Sequence, residues 1–262
     1  MQEYLKPWRP HDGDAPAPPI SPPALLRSAF SLMGSRCPAL LAYALLCAVM
    51  MNLPLALAGT GGAAVAWAAM FLSALVFLVA AASAAASAQT LPGGRKRGAL
   101  ESAALALKKA HVLIALCVPV FIVYELLMVL GLGVGMGLWR LGNGGAFYIA
   151  LPLACVLATS FLSACFCLAA PSCALEKTGP FAALARSLKL TRGSRLAAFL
   201  IFFVLFVINI VAAVFTGSMR QTPAGPYVEG AVSAALSLVS LATVGGLYRL
   251  RTEGSRPKTK KK

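Results

Sequence analysis

Glu125 is the residue whose type and position most clearly suggest chemistry. It is the acidic residue near the middle of a long apolar run, in the stretch FIVYELLMVL. A carboxylate near the centre of a bilayer costs a few kcal/mol unless it is protonated, paired or hydrated. Asn209 and Asn52 are polar residues at similar positions in two other apolar runs. Glu125, Asn209 and Asn52 therefore form a candidate intramembrane polar site.

Two interpretations of this site are open. In the first, the three side chains converge at the centre of a helical bundle and handle a proton or a solute, as in a small transporter or channel. In the second, a neutral Glu125 forms an interhelical hydrogen bond with Asn209, which contributes about 1 kcal/mol. The second is preferred, because the apolar runs carry no further charges near their centres.

Other kinds of site find little support. The sequence contains no HExxH, GxSxG or paired-carboxylate motif, so we predict that the protein is not an enzyme and has no catalytic residues. The seven cysteines form no CxxC, and His11 and His111 lie far from any group of them, so we expect no metal and no cofactor. The formal net charge is +15, but the charges lie in short segments between apolar runs, which argues against nucleic-acid binding.

Apolar runs define the elements that must position these residues. Hydrophobic residues make up 59% of the 262 residues, and only 12% are charged, which indicates lipid as the solvent. About 20 residues of helix cross a bilayer. We therefore predict an all-α polytopic integral membrane protein with six transmembrane helices. They lie near 38–58, 63–88, 112–137, 147–170, 196–216 and 228–249.

The basic residues predict the orientation of these helices. Of the 23 Lys and Arg, all but Arg140 and Arg220 lie in the N-terminal region, the second-to-third connection, the fourth-to-fifth connection or the C-terminus. Positive charge marks the cytoplasmic side of a membrane protein. Both termini are therefore predicted to be cytoplasmic.

The sequence also predicts three regions. Residues 1–23 are rich in Pro and should form a flexible tail, residues 24–250 should form a single membrane domain, and residues 251–262 should form a basic tail.

An internal repeat divides the membrane domain. ALLRSAFSLMGSR (Ala24 to Arg36) aligns without a gap with ALARSLKLTRGSR (Ala183 to Arg195), and ALESAALALKKAH (Ala99 to His111) fits the same frame more loosely. Each copy precedes two apolar runs. The pattern predicts three helical hairpins, each preceded by a basic amphipathic helix at the membrane interface. In this alignment Glu125 of the second unit corresponds to Asn209 of the third.

The third copy carries more basic residues that could bind lipid than either of the other two copies. Arg186, Lys189, Arg192 and Arg195 are candidate contacts to anionic headgroups, and a plain topology signal is the alternative for them. Tyr248 with Arg249 is predicted to be an interfacial anchor.

The stretch LEKTGPFAALARSLKLTRGSR resembles the connection in a group of uncharacterised bacterial six-span inner-membrane proteins. It is similar to the membrane domain attached to some glycerophosphodiester phosphodiesterases. The matching positions are Glu176, Gly179, Pro180, Ala183, Leu184, Arg186, Ser187, Thr191, Arg192 and Gly193. The resemblance covers about two dozen residues. It implies a bacterial inner-membrane protein and supplies no activity, since the soluble phosphodiesterase domain is absent.

The sequence thus predicts a multi-pass protein of a bacterial inner membrane, in contact with anionic lipids. Its expected role is structural, envelope-related or partner-binding, with a membrane-protein partner or a second copy of the chain as possible binding partners. A small transporter or channel around Glu125 is the alternative.

Overall fold

The computed structural model describes residues 19–89, 97–140, 144–176, 178–219 and 225–253. Within these ranges the chain is helical apart from short turns and connections, and no strand occurs there. The helices are α1 (Pro22–Ala88), α2 (Ala99–Leu107), α3 (Ala110–Arg140), α4 (Gly144–Phe166), α5 (Ala169–Leu175), α6 (Pro180–Thr191), α7 (Arg195–Met219) and α8 (Gly225–Glu253). The predicted all-α fold is confirmed.

The long helix α1 consists of three segments, because its backbone leaves the helical region at Arg36 and at Gly62. Residues 22–35 form a short first segment, which we call the N-terminal segment. Residues 37–61 form span 1 and residues 63–88 form span 2. Gly62 has φ of 71°, in the left-handed region that glycine adopts without a steric penalty. Span 2 folds back along span 1, since the Ser73 hydroxyl donates a hydrogen bond to the Met50 carbonyl.

Six helical stretches are long and apolar enough to cross a membrane, as the sequence predicted. They are Pro22–Pro54, Ala64–Ala88, Ala110–Leu127, Leu153–Leu175, Arg195–Ala212 and Tyr227–Thr252. We refer to α3, α4, α7 and α8 as spans 3 to 6. The fourth apolar stretch extends beyond its predicted end near residue 170, because α5 continues it after a turn at Cys167 and Leu168.

Consecutive spans pack side by side, and the last returns to the first. α4 packs against α7 and α7 against α8. The other neighbours are joined by Met50–Ser73 (spans 1 and 2), by Phe121 with Trp67 and Phe71 (spans 2 and 3), by Tyr124–Ser163 (spans 3 and 4), and by Ser237–Met51 (spans 6 and 1). The chain order is therefore also the order around the bundle.

The core lies at one end of the bundle, which we call the basic end because the N-terminal segment, α2 and α6 meet there. Residues 80–88 at the end of span 2 are all alanine or serine, and all of them are buried. Ala81 and Ala85 belong to a cluster with residues of α8, whereas Ala82 packs with Leu113 and Leu116 of α3. Side chains this small let several helices approach one segment from different sides.

Gly245 and Gly246 of α8 make the closest of these approaches. A Cβ on Gly245 would lie 2.8 Å from Cδ2 of Leu32 and 3.3 Å from the Ala84 carbonyl oxygen. A Cβ on Gly246 would lie 3.2 Å from the backbone nitrogen of Ala29. The N-terminal segment, span 2 and α8 are therefore in near-backbone contact at this point.

This contact predicts the effect of enlarging Gly246. Gly246→Leu should destabilise the folded protein by about 1 to 3 kcal/mol, because the new side chain overpacks a rigid backbone contact. Gly230→Leu is the matched control in the same helix, since nothing lies within 4 Å of a Cβ at Gly230. Thermal unfolding in detergent measures both variants. Equal losses of stability at the two positions would contradict the proposed close packing.

Candidate functional site

Glu125 lies on the outward face of α3. Ile114, Val118 and Ile122 recur at four-residue spacing along this face and are 43%, 43% and 50% exposed. Glu125 follows Val118 by two helical turns, so it belongs to the same stripe, and its own side chain is partly exposed. The neighbouring Tyr124 points elsewhere, and its hydroxyl lies 2.5 Å from Oγ of Ser163 in α4.

Asn209 and Asn52 have different surroundings. Asn209 lies on the side of α7 that contains the buried Phe202 and the partly buried Leu205, away from the exposed Ile208 and Val211. The Asn52 side-chain amide donates a 2.8 Å hydrogen bond to the Ala48 carbonyl, one turn earlier in its own helix. Its hydrogen-bonding needs are thus partly met locally.

The three residues lie at similar heights but are not joined to one another. Glu125 and Asn209 are each about 21 to 22 Å along their helices from the basic end, at 1.5 Å per residue. Among the described residues, no hydrogen bond connects Glu125, Asn209 and Asn52. Spacing along the sequence gave the height of each residue, whereas the rotation of each helix determined the direction of its side chain.

Within the described residues, an extensive polar network lies at the basic end, around Glu176. Nε of Arg186 donates a 2.9 Å hydrogen bond to Oε2 of this carboxylate, and the Tyr248 hydroxyl donates a 3.2 Å hydrogen bond to Oε1. The side chains of Glu176 and Arg186 are only 15% and 16% exposed. We call Glu176, Arg186 and Tyr248 the Glu176 cluster. It joins the α5–α6 connection to the end of α8.

The local sequence explains how the cluster forms. α5 ends at Leu175, and Gly179 with Pro180 starts α6, since proline is favoured in the first turn of a helix. The Thr178 hydroxyl bonds to the Ser172 carbonyl and holds the intervening connection to α5. Arg186 lies on α6 where its side chain reaches back to Glu176.

Ser187 links α6 to the turn after α4. Its Oγ donates a 2.7 Å hydrogen bond to the Cys165 carbonyl and accepts a 3.2 Å hydrogen bond from the Leu168 backbone N–H. One hydroxyl thus satisfies two backbone groups at the break between α4 and α5. Buried backbone groups are costly without a partner, so this side chain stabilises the break.

Two arginine side chains donate hydrogen bonds to backbone carbonyl groups at the end of α6. Arg195 Nη2 donates a 2.7 Å hydrogen bond to the Leu188 carbonyl, and Arg251 Nη2 donates a 3.1 Å hydrogen bond to the Arg192 carbonyl. Cations are favourable near the carbonyl end of a helix. Gly193 makes the following turn with φ of 85°. Its carbonyl accepts a hydrogen bond from the Ile20 backbone N–H, which connects the start of the described chain to α6.

Two further bonds hold the start of α2. Arg36 Nη1 donates a 3.1 Å hydrogen bond to the Arg97 carbonyl, and the Tyr43 hydroxyl donates a 2.6 Å hydrogen bond to the Ala99 carbonyl. Both donors come from the region where the N-terminal segment meets span 1. The basic end is therefore cross-linked by hydrogen bonds between parts of the chain that are distant in sequence.

The structure divides the candidate lipid contacts into two pairs. The side chains of Arg186 and Arg195 donate hydrogen bonds within the protein, whereas the side chains of Lys189 and Arg192 are exposed. The prediction that Tyr248 is an interfacial anchor is wrong. Tyr248 is 1% exposed, because the end of α8 packs under the N-terminal segment and its hydroxyl reaches Glu176.

Sequence reasoning did not identify Glu176 as a partner of Tyr248. The two residues are 72 positions apart, so no local pattern connects them. Arg186 could have been found, because it lies 10 residues after an acidic residue across a Gly-Pro helix start. Within the described residues, no group of three or more His, Cys, Asp or Glu side chains is placed to hold a metal ion.

The Glu176 cluster predicts the effect of removing one charge. Arg186→Met should destabilise the protein by roughly 3 kcal/mol, because it leaves a mostly buried carboxylate without its cation. The double variant Glu176→Gln with Arg186→Met should recover a large part of that loss, since both charges of the ion pair are then removed. Arg192→Met is the control, and its exposed side chain should contribute within about 0.5 kcal/mol.

Unfolding in detergent, followed by tryptophan fluorescence, gives these values. A double variant as unstable as Arg186→Met alone would show that the ion pair is not the source of the effect.

No protein-family model, curated protein or solved structure matches this chain.

Proposed function

We propose that this chain is a non-enzymatic protein of a bacterial inner membrane, with a structural or partner-binding role, held at its basic end by anionic lipid. The observation that carries this proposal is the composition of the outer face of the basic end. Large apolar side chains and cations are both exposed there.

Three short helical parts meet at the basic end, namely the N-terminal segment, α2 and α6, and each contributes to this outer face. In the N-terminal segment Phe30 is 61% exposed, in α2 Leu100 is 87% exposed, and in α6 Phe181 is 75% exposed. The exposed cations of these parts and of the turns after them are Arg27, Lys108, Lys189 and Arg192. Aromatic and aliphatic residues beside Lys and Arg are typical of helices that lie at a membrane interface.

The same three helical parts pack against the bundle through other residues. Leu25 and Ala29 of the N-terminal segment, Ala106 of α2, and Ala183 and Ser187 of α6 are buried. Each part thus has one face in the protein and one face outside. The apolar residues of the N-terminal segment are shared between these faces, since Leu25 and Ala29 face the protein and Leu26 and Phe30 face outward.

The predicted threefold repeat supports this arrangement. A short helical part, a break and a long helix follow one another at Arg36, at Lys108 and Lys109, and at residues 192–194. Ser28 and Ser187, which correspond in the alignment, both donate to backbone carbonyls, of Gly246 and Cys165 respectively. We infer three related units, each anchored by its own interfacial helix, with both termini in the cytoplasm.

The resemblance of residues 175–195 to bacterial six-span proteins agrees with this proposal. The residues that carry it, among them Glu176, Arg186, Ser187 and Gly193, form the bonds and turns that close the basic end. A motif with that role contributes to the folding of the membrane domain, and it implies no enzymatic reaction.

A transport role around Glu125 is the alternative function. The observation in its favour is a partly exposed carboxyl group that has no hydrogen bond or ion pair within the described residues. A hydrated path along the outward face of α3 would be needed to use it.

Lipid binding tests the first proposal. Lys189→Gln with Arg192→Gln should reduce the anionic lipid retained by the protein by about tenfold or more, since each cation near an anionic surface contributes about 1 kcal/mol. Arg140→Gln with Arg220→Gln removes the same charge from the predicted opposite side and should have little effect. Native mass spectrometry after extraction from nanodiscs with mixed phosphatidylglycerol and phosphatidylcholine counts the bound lipids. Equal retention in both double variants would contradict the proposal.

Glu125→Gln tests the alternative. If the protein has a packing role, a deletion strain complemented with this variant should grow like one with the unchanged protein, because glutamine keeps the size and polarity of the side chain. Loss of complementation, with normal amounts of the variant in the membrane, would instead favour a titrating transport site.

A further inference from the structure

The outward face of α3 differs from the outward faces of α4 and α7. Its exposed aliphatic stripe consists of Ile114, Val118, Ile122 and Leu126, and Leu126 is 57% exposed. Exposed stripes on α4 and α7 contain only apolar residues, which lipid chains can cover. Those residues are Leu153, Leu157 and Phe161 on α4, and Leu200, Val204, Ile208, Val211 and Phe215 on α7. The stripe on α3 contains Glu125.

The carboxyl group of Glu125 needs a partner that the described part of the chain does not supply. It forms no hydrogen bond or ion pair there, and the adjacent Tyr124 is bonded to α4 on another side of the helix. The position is about 22 Å along α3 from the basic end, near the middle of the apolar run at residues 112–137. A carboxyl group facing lipid at such a depth is unfavourable, even when it is protonated.

We propose that a second copy of this chain covers the α3 stripe, and that the two Glu125 carboxyl groups pair across a twofold axis. In the membrane, two copies with the same orientation are related by an axis along the bilayer normal. Every residue of the second copy therefore keeps its own depth. Glu125 meets the partner's Glu125 there when the two α3 helices pack stripe to stripe.

A carboxylic acid is suited to such a contact because it is self-complementary. When both groups are protonated, each O–H donates a hydrogen bond to the carbonyl oxygen of the other. The pair then needs no residue of opposite charge. The aliphatic side chains of Val118, Ile122 and Leu126 pack around it, and they exclude water and lipid from the hydrogen bonds.

The shape of the stripe fits the same partner. Its members repeat at four-residue spacing, so two copies of it can interdigitate along the helices. Interhelical hydrogen bonds between polar side chains are an established source of association between membrane helices. Asn209 does not compete as a docking point, since it lies on the inward side of α7.

Site-specific photo-crosslinking tests the position of the interface. A photoreactive amino acid at Ile122 should yield a product of twice the chain mass of 27.1 kDa, which contains both tags when two differently tagged copies are coexpressed. The same amino acid at Phe161, a similarly exposed position on α4, is the matched control and should yield no such product. A product with a different protein, or with lipid alone, would overturn the proposal.

Substitution of Glu125 tests the hydrogen bonds. Glu125→Leu should weaken dimerisation in liposomes by about tenfold, as measured by fluorescence transfer between labelled copies, because both hydrogen bonds are lost. Glu125→Gln should keep the dimer, since a carboxamide also donates and accepts. Dimerisation that is unchanged in Glu125→Leu would overturn the proposed pairing.

If Glu125→Leu fails to fold, the photo-crosslink at Ile122 still tests the dimer, because that chain retains Glu125. These measurements do not depend on anionic lipid binding, so the proposal for the basic end can fail or succeed separately.

Discussion

Close packing of very small side chains at the basic end is the constraint on which the rest of the structure depends. Residues 80–88 of span 2 are alanine or serine and are buried throughout. Gly245 and Gly246 bring α8 to near-backbone contact with this segment and with the N-terminal segment. In a membrane, helix association relies on such contacts, because lipid is as apolar as the helix surfaces. The position of α8 then determines where Tyr248 and Arg251 can reach.

The hydrogen bonds of the basic end follow from this packing. The helices that meet there leave breaks at Arg36, at Cys167 and Leu168, and at residues 192–194, and each break exposes backbone groups. Arg36, Ser187, Arg195 and Arg251 bond to carbonyl groups at or near these breaks or connections. The motif around Glu176 can therefore be explained by the need to close this end of the bundle, with a mostly buried ion pair at its centre.

The cations of the basic end consequently have two kinds of role. Arg186 and Arg195 act within the protein, whereas Lys189 and Arg192 remain exposed beside large apolar side chains. A count of charges cannot separate these groups, because Lys and Arg look alike in a positive-inside analysis. The role of an acidic residue cannot be read from its charge alone either. Glu125 is partly exposed on the outward face of α3, where the exposed residues around it are aliphatic.

The sequence by itself determined the fold class and the six apolar helices. These features depend on the local composition of each stretch of the chain. Only the tertiary structure decided which side of a helix faces inward. It separated Glu125 from Asn209 despite their similar heights, and it buried Tyr248 beside a carboxylate 72 residues away. The rotation of each helix depends on contacts between distant segments, and in spans that are apolar all round the sequence pattern does not reveal it.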